Sequence, residues 1–211
     1  MTAHPMFPLG MTLLPGETLS LQVFEPRYRQ MVADCTAVDG TNSFGVVLIS
    51  RGSEVGGGDE RVDVGTLAHI ETSTERPDGR YHLSCVGTDR FRVRSWLPDD
   101  PYPMADITLW PSTDPIAYPA DLAPIRERLT GLSSVLSRVR GIVVEDRLIE
   151  PLESDGPIDA KVYDTAVRLG LGPADRLKIL SAPGTVERII ELCQAIDDLI
   201  AVIEFSGLPA D

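Results

Sequence analysis

Near Asp114 the spacing of apolar residues changes period, and the change divides the chain into a strand-forming half and a helix-forming half. Before it, Leu19, Leu21 and Val23 alternate with Ser20 and Gln22, and Phe91, Val93 and Ser95 alternate with Arg90, Arg92 and Arg94. After it, Leu122, Ile125, Leu129, Leu132, Leu136 and Val139 recur every third or fourth residue, on one face of a helix. Pro115, Pro119 and Pro124, set among small polar residues, mark the connector. Strands followed by helices predict an α+β fold. The expected subdomains are a β-rich one over residues 1–113 and a helical one over residues 114–211, packed together.

The first half opens with Phe7 to Cys35, which reads as two strands and a helix. Pro15-Gly16 supplies a tight turn, so the two strands are expected to pair with each other. Pro26 fits the first turn of a helix, where its missing N–H would have no partner, and Tyr28, Met31, Val32 and Cys35 share one face. Beyond a loop at Ala37 to Ser43, Phe44 to Ile49 is nearly all apolar, as in a strand covered on both sides. Arg51 to Arg61, with Gly52, Gly56, Gly57 and Gly58, reads as a loop, and lacks the lysine and spacing of a phosphate-binding loop. Val64 to Thr74 and Tyr81 to Gly87 form a hairpin across Arg76-Pro77-Asp78-Gly79. Arg90 to Leu97 reads as a further run, and Ala105 to Trp110 as a last short strand.

In the second half, Asp159 is the expected N-cap of a helix carrying Val162, Tyr163, Ala166 and Val167 and stopped by Gly170. Pro173 opens a short helix with Leu177, Ile179 and Leu180. Thr185 is the expected N-cap of the last helix, whose stripe runs through Val186, Ile189, Ile190, Cys193, Ile196, Ile200 and Ile203. Such a stripe is expected to close an intrachain bundle rather than recruit a partner helix. Cys35, Cys85 and Cys193 show no CxxC pairing and read as small buried apolar residues.

The run Phe7-Pro8-Leu9, then Pro15-Gly16, then Leu21 and Val23-Phe24-Glu25-Pro26-Arg27-Tyr28 resembles the opening of the Lon protease N-terminal, substrate-binding domain. Val64-Gly65-Thr66-Leu67-Ala68, Asp78-Gly79-Arg80 and Val86-Gly87-Thr88-Asp89-Arg90-Phe91 continue the resemblance in the order that family shows them. Residues 111–211 share its helical pattern but few motif residues. The resemblance implies a β-rich, PUA-like pseudo-barrel followed by an α-helical bundle, in a stand-alone protein without the family's ATPase and protease domains. Within the signature, Glu25, Arg27 and Tyr28 are expected to hold strand to helix rather than to touch a ligand.

Composition and missing motifs narrow the function. A formal charge of −13 opposes nucleic-acid binding, which needs cations to displace counterions from a polyanion. The N-terminal residues do not read as a signal peptide and no apolar run is long enough to span a membrane, so a cytoplasmic protein is expected. Lys161 and Lys178 are the only lysines, and neither follows a nucleophile turn of the kind a Ser-Lys dyad needs; no Walker motif is present. A hydrolytic cluster of Ser84, His82 and Asp89 is conceivable but lacks a GxSxG elbow, and His4, His69 and His82 lack metal-ligand spacing. Arg90, Arg92 and Arg94 form either an anion-binding stripe or, the favoured reading, a solvated face paired with Glu71 or Glu75.

What the resemblance implies is therefore a non-catalytic module that binds unfolded peptide or protein segments, with a protease or chaperone system as a candidate partner and no cofactor or metal. The alternatives are a hydrolase of unknown substrate and a structural, oligomeric scaffold. Candidate contacts are the aromatics Phe24, Tyr28, Trp96, Tyr102 and Trp110 near strand ends.

Overall fold

The computed structural model describes residues 3–52, 60–112, 119–142 and 144–206. The expectations for Gly56, Gly57, Gly58 and Pro115 lie outside these described residues. The chain divides into two units, Met1–Pro111 and Ser112–Asp211.

Among the described residues, the first unit holds six strands and one helix: β1 (Ala3–Leu9), β2 (Thr18–Val23), α1 (Pro26–Thr36), β3 (Ser43–Arg51), β4 (Glu60–Glu75), β5 (Tyr81–Leu97) and β6 (Met104–Leu109). Their order is β2-β5-β4-β3-β1-β6, and β5 also pairs with β6. That extra pairing closes five strands into a near-ring and leaves β2 outside it, on one flank of β5. Among the described strands, β1 and β3 run parallel and the other pairs antiparallel. Closure requires β5 to serve two partners in succession, β2 along Tyr81 to Val86 and β6 along Phe91 to Leu97. The two runs expected at Tyr81 to Gly87 and Arg90 to Leu97 are one continuous strand, bulged where Thr88 and Asp89 stand against a single residue of β4.

The expected pairing of β1 with β2 does not form: β1 pairs with β3 and β6, and β2 with β5. The cause lies in the turn. Gly16 N–H donates to the Gly87 carbonyl at 2.8 Å, and Gly87 N–H returns a bond to the Glu17 carbonyl at 2.8 Å, so the turn docks on β5 instead of folding β2 back. A Cβ on Gly87 would stand 2.3 Å from the Leu14 carbonyl oxygen, so this approach needs glycine.

Two apolar clusters lie against the sheet. Phe7, Phe44 and Val46 belong to a cluster that includes Tyr28, Met31, Val32 and Cys35 of α1. Their sequence neighbours Met6 and Val47 join Phe91 and Ala105 in the other cluster. Strand residues one apart point to opposite faces, which is why Phe44 to Ile49 carries so little polarity. Cys35 and Cys85 are free, buried thiols, pushed up by burial to about 11 and about 12 respectively, which suits packing rather than reactivity.

Among its described residues, the second unit contains a 3-10 turn (Pro119–Leu122) and five helices: α2 (Ala123–Arg140), α3 (Glu145–Glu153), α4 (Ile158–Arg168), α5 (Pro173–Ser181) and α6 (Thr185–Ser206). The α2 stripe is buried at Ile125, Leu129 and Leu132. On α6 the buried face is Ile189, Leu192, Cys193, Ala195, Ile196 and Ile203, whereas Val186 and Ile190, expected within it, are exposed. The face is displaced toward Arg188, which is fully buried. Asp159 is not the α4 cap; Pro157 holds that position. Its carboxylate, one residue inside the helix, instead accepts hydrogen bonds from Ser112 and Arg188. No helix among the described residues is long and apolar enough to cross a membrane.

Candidate functional site

The exposed end of β2 offers both a free backbone edge and an exposed apolar side chain. β2 pairs residue by residue with β5, Thr18 opposite Val86 through Val23 opposite Tyr81. Its other edge pairs with no strand among the described residues. Backbone N–H and C=O groups on such an edge are a template for a further strand. Ser20 and Gln22 are exposed while Leu19 and Val23 are buried, so the strand is fixed to the core on one face. Phe24 follows immediately and is 53% exposed, unusual for a phenyl ring in a well-packed unit. It cannot swing inward, because Pro26 starts α1 two residues later and Val23 is already committed to the core.

The rest of the signature braces this position. Arg27 Nε donates to Glu25 Oε2 at 3.2 Å, and its guanidinium lies 4.5 Å from the Tyr28 ring centroid. Tyr28 is 2% exposed and stacks on Phe7 with centroids 4.1 Å apart and planes 9° from parallel. Arg29 reaches the hairpin, where a Cβ on Gly79 would stand 2.3 Å from its guanidinium. Because Val23 faces Tyr81, the β4–β5 turn lies level with Phe24.

The other candidate aromatics sit differently. Tyr102 is 9% exposed and its hydroxyl donates to Asp34 Oδ2 at 2.9 Å; burial, then Asp34, push the phenol up to about 12. Tyr28 and Tyr102 thus act as supports around α1. Trp96 is half-buried on β5, its indole N–H donating to Asp63 Oδ1 at 3.2 Å with the Arg61 guanidinium 4.8 Å from its ring. Trp110, just past β6, lies beneath Arg90 at 4.2 Å and Arg92 at 3.5 Å. The structure brings Phe24 and Tyr28 together at one place and sets Trp96 and Trp110 on another stretch of sheet.

Arg92 and Arg94 are solvent-exposed, as the favoured reading expects, but among the described residues neither forms an ion pair with Glu71 or Glu75. Arg90 is buried and donates from Nε to the Trp110 carbonyl at 2.7 Å, while Arg94 donates to Thr108. β6 lies where the hairpin acids were expected, because ring closure brings it alongside this half of β5. The conceivable Ser84, His82 and Asp89 cluster does not assemble either. His82 and Asp89 are seven residues apart on one extended strand, roughly 23 Å at the usual rise per residue. Ser84 Oγ is directed at Glu71, 3.5 Å away.

The family described as the ATP-dependent protease La (LON) substrate-binding domain matches residues 3–198. The chain belongs to that family. Among solved structures, it is similar to the Lon N-terminal domain protein from Xanthomonas campestris, at 28% identity and a TM-score of 0.66, over 92% of this chain and 98% of that one. The N-terminal domain of the Mycobacterium avium complex Lon protease shares the fold, at 16% identity and a TM-score of 0.65, over 93% of this chain and 99% of that one. The Lon substrate-binding domain is the domain found across this chain; no protease or ATPase domain is found in it.

The open edge of β2 had no signal in the sequence, because strand order is set by pairings far apart in the chain. Polar Ser20 and Gln22 were consistent with an edge but equally with any half-solvated strand.

Proposed function

We propose that this protein recognises extended segments of other proteins without cleaving them, by pairing them with the free edge of β2 and anchoring an apolar side chain on Phe24. The observation that supports this reading is the continuity of an unpaired edge, Thr18–Val23, with a phenyl ring that is 53% exposed. Membership of a substrate-binding family supports protein as the ligand class. Main-chain pairing is tolerant of sequence, so it suits a receptor for unfolded segments, with one apolar contact adding selectivity. The formal charge of −13 disfavours a polyanionic ligand. A captured segment would then be available to a separate proteolytic or chaperone system.

The test is a titration with an extended, labelled peptide containing apolar residues, alongside an isomer N-methylated at alternate amides. The expected result is saturable binding of the first without fragments, and binding of the methylated isomer at least about tenfold weaker, since each lost hydrogen bond contributes about 1 kcal/mol. Phe24→Ser should weaken binding by about tenfold, the scale of an apolar ring losing its contact. Equal binding of the methylated isomer would remove strand addition from consideration, and cleavage products that persist on repurification would establish an enzyme.

A further inference from the structure

The helical unit contains an apolar cavity that the binding of protein segments at β2 does not use. It has a volume of about 590 Å³ and is walled by Leu132 and Leu136 of α2, Leu148 of α3, Leu169, and Leu199 and Ile203 of α6. Its size lies within the range of small-molecule sites, about 300–1,000 Å³.

Val144 and three charged residues, Arg147, Glu150 and Arg168, complete the lining. Two of them neutralise each other: Arg168 Nη1 donates to Glu150 Oε2 at 2.8 Å, and Arg168 Nε to Asp164 at 3.2 Å. Arg147 has no carboxylate partner among the described residues. In a neighbouring polar hollow, which Arg147 also lines with Asp146 and Glu153, the other cation, Arg126, is taken by Glu153 at 3.1 Å. Among the described residues, the cavity therefore presents a nearly continuous apolar wall with one guanidinium, Arg147, that no carboxylate holds in an ion pair.

We propose that this cavity binds a long-chain carboxylate, its alkyl chain against the leucines and its carboxylate on Arg147. A guanidinium fork grips a carboxylate through two parallel hydrogen bonds. An alkyl chain leaves nothing else to satisfy, whereas a peptide would bring several amides into a wall that offers them no partners. That difference selects a fatty carboxylate over the end of a protein chain, and makes this site independent of the edge of β2.

The experiment is calorimetric titration of the full chain with sodium decanoate, methyl decanoate and decanol, each below its micellar concentration. The wild-type protein should bind decanoate saturably, one per chain, about tenfold tighter than the ester, the scale of one charge-assisted contact. Arg147→Gln, a change at an exposed position, should abolish that preference while leaving decanol binding unchanged. Leu136→Trp, which fills the cavity from a half-buried position, should weaken all three ligands. The proposal is overturned if decanoate fails to saturate, or if Arg147→Gln keeps the preference. It is equally overturned if a peptide ending in leucine displaces decanoate at lower concentration than decanoate itself binds.

Discussion

The two units solve the same packing problem by different means. In the β unit, close approach of backbone is decisive: the Phe91 ring sits over Gly65, where a Cβ would stand 2.6 Å from it and 2.2 Å from the Val46 carbonyl oxygen. Arg90 and Arg92 stack on the Trp110 ring, and Arg90 Nε also donates to the Trp110 carbonyl. In the helical unit the interior contains an ion pair. Arg188 is fully buried, 5.0 Å from the Tyr163 ring, donates to Asp159, and has no hydrogen-bond partner for its Nε. In this ring the strands pack closest at glycines such as Gly65 and Gly87, whereas helices packing through side chains can enclose an ion pair once its hydrogen bonds are arranged. The first unit is therefore most sensitive to added volume and the second to lost charge.

Both tryptophans, Trp96 and Trp110, lie in the β unit, so tryptophan fluorescence reports that unit while helical circular dichroism is weighted toward the other. The largest effect is expected from Asp159→Ala, which strands the buried Arg188 cation. Loss of about 3–5 kcal/mol is expected in urea unfolding followed by the helical signal. Should the fluorescence transition shift by the same amount, the two units unfold as one block and the contrast between them fails.

The same pair sharpens the comparison through pH. Burial alone would raise the Asp159 carboxyl, but hydrogen bonds from Ser112 and Thr185, with the Arg188 charge, hold it below its ordinary value of 3.8. A depressed carboxylate contributes stability that is complete well above pH 3.8, and that is lost as pH falls through the folded value. The wild-type helical transition should weaken across that acid range, and the difference between wild type and Asp159→Ala should shrink with it. A difference that stays constant down to acid pH would show that the pair is not the source.

Gly65→Ala comes next. The obstacle is a carbonyl oxygen, which cannot move without breaking the β3–β4 ladder, so about 2–3 kcal/mol should be lost, seen in fluorescence and not in the helical signal. The smallest effect is expected from Arg92→Ala. Its guanidinium lies 3.5 Å from the Trp110 centroid but on an exposed position, which limits the loss to about 0.5–1 kcal/mol. A larger loss would mean that Trp110 depends on Arg92 for its position, and would draw the arginine stripe into the core of the unit.

Much of the local structure was legible in advance for a definite reason. The hairpin across Arg76-Pro77-Asp78-Gly79 forms as read, with Gly79 N–H donating to the Arg76 carbonyl at 2.8 Å and Gly79 at a φ of 76°. The helix from Pro26 buries Tyr28, Met31, Val32 and Cys35 as their spacing requires. These features depend on residues a few positions apart. By contrast, the spacing predicts no element over residues 141–157, where α3 forms; Pro151 inside that helix argues locally against it. The cavity beside Arg147 was therefore out of sight as well.

Sequence by itself determined the family, the two-unit division of periodicity, the turn chemistry and the buried faces of β2 and α1, because each is written in short-range spacing or in motif residues. Tertiary structure alone decided that β2 would stand outside the ring with a free edge, that Arg90 would be buried against Trp110, and that Asp159 would meet Arg188 instead of capping a helix. Those outcomes rest on partners 20 to 70 residues away along the chain, as with Arg90 and Trp110 or Thr18 and Val86. Spacing specifies which face of an element is apolar, but the competition among all possible pairings specifies what that face, or edge, will meet.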